Sequence, residues 1–178
     1  YWANKWGLQA GIKYVDAFSV KNLDLQFESN RARPYTYAHY DSVANYTHYN
    51  QPLAHPLGAN FQEFVGIIKY QPANRWYINA KAIYYYQGLD SMGINFGSNP
   101  LLNYTSRPRD YGFNIGSGSK ATCLNASLQL SYELKENLFI DGSVLSRNYK
   151  IKDVAGKSST SLVTIGVRFN MFRREYDY

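Results

Sequence analysis

The sequence predicts an all-β chain of about seven antiparallel strands, which cross a membrane as part of a β-barrel of the outer-membrane type. Three observations predict this fold class. Apolar and polar residues alternate over the longest patterned stretch, Lys120–Ile151. Short polar turns alternate with long irregular loops along the chain. Tyrosine contributes 18 residues, and aromatic residues make up 17% of the chain; such amphipathic rings are enriched where a bilayer meets water.

The stretch Lys120–Ile151 contains two strands and the turn between them. Its first half carries apolar residues at even positions and polar residues at odd positions, from Thr122 to Leu134. A period of two sends successive side chains to opposite faces of a strand. After a polar turn at 135–137, the second half repeats the pattern with Leu138, Ile140 and Val144 on one face. Each half is long enough for a tilted membrane-spanning strand of roughly 9–11 residues.

The same alternation predicts five further strands. Their ranges are Trp6–Tyr14, Leu23–Glu28, Phe61–Gln71, Trp76–Gln87 and Val163–Met171. In an outer-membrane barrel the apolar positions of each strand face lipid and the polar positions face the lumen. The residues expected to face lipid are Leu8, Ile12, Leu25, Ile78, Leu124, Leu128, Leu130, Ile140, Val163, Val167 and Phe169.

The lengths of the connections alternate along the chain. Short connections are predicted near residues 16–21, 72–75 and 135–137, and long ones at 31–60, 88–119 and 152–160. Outer-membrane barrels have short periplasmic turns and long extracellular loops. The sequence therefore predicts a protein of the bacterial outer membrane, with one domain over residues 1–178, three extracellular loops and a periplasmic C-terminus.

Composition argues against several other classes of protein. The net charge is +6, but the basic residues are scattered singly, whereas nucleic-acid binding needs a contiguous basic patch. The sequence has no run of about 18 apolar residues, as a membrane-spanning helix would need. A mean hydropathy of −0.45 suits a membrane barrel, because only every second residue of a strand faces lipid. The single cysteine, Cys123, forbids an internal disulfide.

A soluble sandwich or a lipocalin-like barrel is the main alternative, since its strands also alternate, with the apolar face inside. Its outer face should be rich in charge, yet Gly, Ser, Asn and Gln outnumber charged residues at the polar positions here.

The even or odd number of strands adds a further expectation. Seven strands with short periplasmic turns would leave the N-terminus extracellular, whereas bacterial single-chain barrels have even strand numbers. We therefore expect the chain to be the C-terminal part of a larger barrel.

The segment Ala44–Glu63 is the most distinctive part of the sequence. Its run from Tyr46 to Gly58 contains His-Tyr-Asn-Gln-Pro-Leu-Ala-His-Pro-Leu-Gly and lies just before a predicted strand. Two prolines fix the backbone and Gly58 permits a turn, so the loop should have a defined shape. Here the chain resembles the Wzi-like capsule-assembly outer-membrane barrels and their relatives among gliding-motility-associated barrels. The resemblance implies the C-terminal portion of a large barrel, of about eighteen strands within the even-number range, whose outer face handles cell-surface polysaccharide or serves a surface machine.

The candidate ligand-binding residues lie in the long loops. Arginine forks bind carboxylate or phosphate, and aromatic faces stack on sugars or guanidinium groups. Extracellular loops with these residues suit an acidic polysaccharide; alternatively, the arginines bind lipopolysaccharide phosphates or pair with Asp41 and Asp110. The candidates are Arg31, Arg33, Tyr46, His48, Gln51, His55, Tyr104, Arg107 and Arg109.

Other chemistries find less support in the sequence. His39, His48 and His55 are spaced nine and seven residues apart, which matches no compact metal-ligand motif. We expect them to form hydrogen bonds within an ordered loop, and we expect no metal and no cofactor. A hydrolase would recruit Ser42 or Ser159, but no nucleophile elbow is present.

The sequence thus favours a non-enzymatic outer-membrane barrel that attaches or assembles surface polysaccharide, with membrane lipid and lipopolysaccharide as its surroundings. The alternative is a scaffold subunit of a secretion or gliding-motility complex, which would bind other subunits of that complex. A membrane-embedded hydrolase and a channel are the remaining alternatives, although inward charges of both signs favour a lumen filled with paired side chains over a channel.

Overall fold

The structure of the protein is a computed structural model that describes residues 1–152, 154 and 156–170. The described residues form nine β-strands and three short 3-10 turns, at Ala17–Ser19, Ser42–Ala44 and Tyr104–Ser106. The strands are β1 (Gly7–Tyr14), β2 (Leu23–Ala32), β3 (Thr47–His48), β4 (Gln51–Pro52), β5 (Phe61–Tyr70), β6 (Trp76–Leu89), β7 (Ser119–Lys135), β8 (Leu138–Ile151) and β9 (Lys157–Phe169). In this part of the chain no helix is long and apolar enough to cross a membrane.

Seven of the strands form one antiparallel sheet in the order β1-β2-β5-β6-β7-β8-β9. The two-residue strands β3 and β4 pair only with each other, inside the first long loop. The prediction of an all-β chain with seven long antiparallel strands is therefore confirmed. A closed barrel is not present in the described residues, because β1 and β9 stand at the two edges of the sheet and do not pair with each other.

Several strands are longer than the sequence predicted, so the loops between them are shorter. Strand β2 continues through Arg31 to Ala32, β6 reaches Leu89, and β9 begins at Lys157. The loops therefore cover 33–60, 90–118 and 152–156. The last difference has a physical reason: the Lys-Ser-Ser-Thr segment at 157–160 lacks apolar alternation but pairs through its backbone with Arg147–Lys150. Met171, predicted to end the last strand, and the C-terminus, predicted to be periplasmic, lie outside the described residues.

The cross-strand register collects the apolar positions on one side of the sheet, which we call the apolar face. One row of paired residues crosses all seven strands and is apolar throughout: Tyr14, Leu25, Ile68, Ala80, Leu128, Val144 and Val163. All eleven residues predicted to face lipid lie on this face. Its side chains are exposed or half-buried rather than packed in a core: Leu128 is 51% and Val167 is 72% exposed, and Leu25 and Ile78 are half-buried. The described residues therefore do not form the core of a soluble sandwich.

The exposed apolar side chains form a band that slants across the sheet. In β1 they run from Leu8 to Tyr14, and in β9 from Val163 to Phe169. Tyr14 and Val163 share a row, so the band shifts by about six residues over six strand-to-strand steps. The shift is thus about one residue, or about 3.4 Å, for each strand spacing of about 4.8 Å. This ratio corresponds to strands tilted by about 35° from the normal to the band.

The opposite side of the sheet, which we call the polar face, carries paired charges. Lys13 Nζ lies 3.0 Å from Asp24 Oδ2 across β1 and β2. Arg168 Nε lies 2.8 Å from Asp141 Oδ2 across β8 and β9, and its second nitrogen contacts the other carboxylate oxygen at 3.3 Å. Such bidentate geometry adds direction to the charge pairing. The predicted pairing of inward charges between neighbouring strands thus occurs at these two places.

The two ends of the sheet differ, as the loop lengths predicted. The short turns at 15–22, 71–75 and 136–137 lie at one end, which we call the turn end. The other end carries residues 1–6 and the loops 33–60 and 90–118, which pack together; we call these three segments the loop cap. Asn60, fully buried, joins the two loops to β6. Its amide nitrogen donates to the carbonyls of Gly88 at 2.8 Å and Ser117 at 2.8 Å, and its Oδ1 accepts from Gly116 N–H at 2.8 Å.

Close packing around Gly88 gives a direct test of this arrangement. A Cβ added at Gly88 would lie 1.9 Å from the Ser117 carbonyl oxygen, whereas one added at Gly66, on the exposed apolar face, would meet nothing within 4 Å. We expect Gly88→Ala to lower the free energy of unfolding by about 1–3 kcal/mol and to expose 90–118 to protease, with Gly66→Ala as the control. Equal protease resistance of the two variants would contradict the docking of this loop.

Candidate functional site

The loop cap has its own small core, built from aromatic residues of all three segments. Tyr35, Ala38 and Phe113 are buried together, and Trp2, Phe96 and Tyr104 pack around them. The Tyr35 hydroxyl donates to the Asn95 carbonyl at 2.6 Å, and the Tyr35 N–H donates to the Gly97 carbonyl at 3.0 Å. Burial raises the pKa of Tyr35 above its ordinary value, so its hydroxyl stays protonated and keeps donating. Because of this core, the long loops hold a defined surface.

A cluster of cations and aromatic rings lies at the outer edge of this core. The Arg107 guanidinium stacks on the Trp2 ring at 4.3 Å, and the Trp2 and Tyr104 rings lie 4.5 Å apart. Lys5 Nζ sits 4.7 Å from the Tyr104 ring and donates to the Ala38 carbonyl at 2.6 Å. Burial lowers the pKa of Lys5. Arg107 is also paired with the Asp110 carboxylate at 2.7 Å, so its guanidinium is engaged within the loop cap.

A pocket of ≈ 300 Å³ opens where β1 and β2 meet the loop cap. Its lining includes Asn30 and Arg31 from β2, Tyr37 and His55 from the first long loop, and Phe61 at the start of β5. The Arg31 guanidinium lies over the Trp6 ring at 5.3 Å. Among the described residues no carboxylate forms an ion pair with Arg31. Arg31 is opposite Leu8 and Gln62 in the sheet, so its side chain lies on the apolar face, whereas those of Asn30 and Phe61 lie on the polar face. The pocket thus has polar and aromatic walls, and an available guanidinium lies on the other side of β2.

Hydrogen bonds fix the polar groups beneath this pocket. His55 Nδ1 accepts the Leu57 N–H at 3.2 Å, so Nε2 carries the proton and donates to Glu63 Oε2 at 3.0 Å. The same Glu63 oxygen accepts from Asn30 Nδ2 at 2.9 Å. This bond orients the Asn30 amide, and its buried Oδ1 has no hydrogen-bond partner among the described residues. An unpaired buried acceptor is costly, and Asn30 is one of the residues that line the pocket.

The predicted ligand-binding residues fall into separate groups in the structure. Arg31 and His55 line the pocket, and Tyr104 and Arg107 belong to the cation and aromatic cluster. Arg33 donates to the Phe113 carbonyl at 2.8 Å, and the Arg109 guanidinium lies 5.5 Å from the same Phe113 ring. Tyr46 packs near the Tyr37 ring at 5.9 Å, next to the pocket. His48 and Gln51 lie exposed on the short β3–β4 hairpin, away from the other candidates' contacts.

Several residues that build the site were not among the sequence candidates. Trp2, Lys5, Tyr35 and Asn60 each join segments far apart in sequence, and only the fold brings their partners to them. Asn60 carries one local signal, since its backbone has φ +60, a conformation that Asn tolerates better than most residues. The predicted pairing of an arginine with Asp110 occurs at Arg107, whereas no described ion pair involves Asp41.

The histidines contribute hydrogen bonds and ring contacts. His39 Nδ1 accepts the Asp41 N–H at 3.2 Å, and the His48 ring lies 4.3 Å from the Tyr49 ring. Within the described part of the chain, no three His, Cys, Asp or Glu side chains come together in a group that could hold a metal ion. Comparisons with protein-family models, with curated proteins and with solved structures found no match for this chain.

The stacking of Arg107 on Trp2 can be tested by fluorescence. We expect Arg107→Ala to remove the stacking and the pairing with Asp110, loosen Trp2 by about 1–2 kcal/mol, and shift Trp2 emission to longer wavelength in a Trp6→Phe, Trp76→Phe background. The matched control is Arg109→Ala, because that guanidinium is exposed and its contacts among the described residues are with Phe113 and Gly112. Identical Trp2 emission in both variants would show that Arg107 does not hold this cluster.

Proposed function

We propose that the chain forms part of the wall of a transmembrane β-barrel in a bacterial outer membrane, as the C-terminal part of a larger barrel. In this proposal the loop cap is extracellular and attaches or assembles cell-surface polysaccharide. The function is binding and needs no catalytic group or cofactor. The continuous exposed apolar band across all seven strands is the observation that carries the proposal.

The shape of the band supports a lipid-facing wall in two ways. An exposed apolar area that crosses seven strands is far larger than the patches found on ordinary soluble monomers. Its slant of about one residue per strand gives the tilt of about 35° derived above, and strands of outer-membrane barrels tilt by about 35–45°. When strands are tilted in a membrane, the residues that lie at one depth shift along each successive strand. An apolar band at constant depth must therefore slant relative to the rows of paired residues.

The polar face and the edges of the sheet fit the same proposal. A wall segment needs a face suited to a barrel lumen, and the ion pairs Lys13–Asp24 and Arg168–Asp141 each bring opposite charges together on the polar face. It also needs further strands on both sides, because a bilayer core leaves no edge of a sheet without partners. Under this proposal β1 and β9 pair with additional strands of the same barrel.

The loop cap supports a role in polysaccharide binding. Beside the loop cap, the Arg31 guanidinium lies over the Trp6 ring and has no carboxylate partner among the described residues. A guanidinium can hold the carboxylate of an acidic sugar in a bidentate manner, while aromatic rings pack against the sugar ring. Arg31 is preferred among the four candidate arginines because Arg33, Arg107 and Arg109 each donate a hydrogen bond within the loop cap, whereas Arg31 has only its contact with Trp6 among the described residues.

A scaffold subunit of a secretion or gliding-motility complex is the second candidate function. It is favoured by apolar residues on the outer surface of the loop cap that contribute little to its core. Val43 is 90%, Tyr49 is 88% and Met92 is 96% exposed. Such residues suit a protein partner, and co-purification with partner subunits rather than with polysaccharide would identify this function.

The lipid-facing assignment predicts how charge is tolerated on the two faces of β7. We expect Leu128→Arg, on the apolar face, to destabilise the membrane-inserted protein by about 2–4 kcal/mol, as for charges near a bilayer midplane. The adjacent Gln129→Arg, on the polar face, is the matched control and should change little. Folding into phosphatidylcholine vesicles at increasing urea measures both. Equal tolerance of the two substitutions would argue against a membrane on the apolar face.

The polysaccharide assignment predicts an effect of Arg31. We expect Arg31→Gln to release surface polysaccharide from cells into the medium and to weaken binding of an acidic polysaccharide to the purified protein by about 10–100-fold, because a hydrogen bond to a charged group contributes about 1.5–3 kcal/mol. Arg75→Gln, at the turn end, makes the same change of charge and should have no effect. Unchanged polysaccharide retention with Arg31→Gln would contradict this role.

A further inference from the structure

A group of lysines lies on the apolar side of the sheet, close to the loop cap. Lys150 of β8 and Lys157 of β9 are directly opposite each other, and Lys150 is also opposite Thr122 of β7. Lys120 lies two residues further along β7 on the same face, with its Nζ 4.2 Å from the Tyr86 ring. All three lysines are exposed. We call Lys120, Lys150 and Lys157 the lysine patch.

The side chains on the apolar side of β8 and β9 change in a regular order along the strands, and the lysine patch lies at the end of that order. On β8 the outward positions change from Val144 through Ser146 and Asn148 to Lys150, and on β9 the paired positions read Val163, Ser161, Ser159 and Lys157. Ser159 donates to Asn148 Oδ1 at 3.0 Å. Val144 and Lys150 are six residue steps apart, which is about 20 Å along the strand. The surface therefore changes from apolar to hydroxyl and amide groups, and then to cations.

The charges of the lysine patch are not neutralised within the described residues. No described carboxylate forms an ion pair with any of its three lysines. In the sequence, Lys152 and Asp153 follow β8 and have formal charges of opposite sign. Like charges directly opposite each other on neighbouring strands are destabilising, so the pair Lys150 and Lys157 favours an anion that bridges them.

From this placement we propose that the lysine patch binds the phosphate groups of an anionic glycolipid in the membrane that surrounds the protein. This inference rests on the proposed membrane orientation of the apolar face. Acyl chains would lie against the apolar band, sugar hydroxyls against the serine and asparagine positions, and phosphates against the three ammonium groups. Lysine binds phosphate as a point charge, and membrane phosphates attract cations placed beside the apolar surface.

The test uses the purified protein in neutral detergent micelles, with diphosphoryl lipid A as the probe and native mass spectrometry as the readout. We expect Lys120→Gln, Lys150→Gln and Lys157→Gln combined to weaken binding by on the order of a hundredfold, since each cation near an anionic surface contributes about a factor of five. The combined Lys→Arg variant keeps the charges and should keep binding, which separates loss of charge from misfolding. Raised salt should weaken binding to the unmodified protein.

The matched control removes three cations from the turn end, with Lys21→Gln, Arg75→Gln and Lys135→Gln combined, and should bind lipid A normally. Undiminished binding by the lysine-patch Gln variant, or an equal loss in the control, would overturn the proposal.

Inorganic pyrophosphate is the second probe. If the protein bound pyrophosphate as tightly as lipid A, the lysine patch would be a site for free phosphate, and the glycolipid assignment would be overturned. Insertion into neutral phosphatidylcholine vesicles is measured separately. Failure there would count against the membrane wall, whereas loss of lipid A binding alone tests the lysine patch.

Discussion

The register of the seven long strands is the constraint on which the rest of the structure depends. In an antiparallel sheet, residues opposite each other point to the same side, so a single register decides which side chains share a surface. Here it aligns Tyr14, Leu128 and Val163 in one row and leaves Lys13, Gln129 and Thr164 on the other side. A slip of one residue in any strand would move its apolar side chains to the polar face. The apolar band, its slant and the lysine patch all follow from that register.

The loop cap has a small core of its own and is joined to the sheet by hydrogen bonds. Its core of Tyr35, Ala38 and Phe113 is separate from the strands, and Asn60 connects it to β6. Beneath it, His55 and Glu63 connect the first long loop to the polar face. This construction explains how loops of this length can present a fixed surface. It also explains why most of the candidate arginines serve as internal contacts, since a loop layer with a small core needs polar and cation–aromatic contacts to hold it together.

The sequence predicted the strands and the faces well because a period of two is a local signal. All eleven residues expected to face lipid lie on one face, and the short and long connections are at opposite ends of the sheet. Local signals failed where backbone pairing between strands extends a strand through residues without apolar alternation. Examples are the Ser-rich start of β9 and Arg31, which lies in β2 rather than in the predicted loop. The candidate site was harder to predict. The contact of Arg107 with Trp2 spans more than a hundred residues of sequence, and no spacing rule connects such distant positions.

The most direct test of the account is to measure what surrounds each face of the sheet once the protein is in a bilayer. In a Cys123→Ser background, spin labels are attached to Leu128→Cys and Val163→Cys on the apolar face, and to Gln129→Cys and Thr164→Cys on the polar face. We predict that labels on the apolar face collide with dissolved oxygen and are shielded from a water-soluble nickel chelate. Labels on the polar face, which are not in contact with lipid, should not show this combination. Apolar-face labels that are open to the nickel chelate, or packed away from both reagents, would contradict the account.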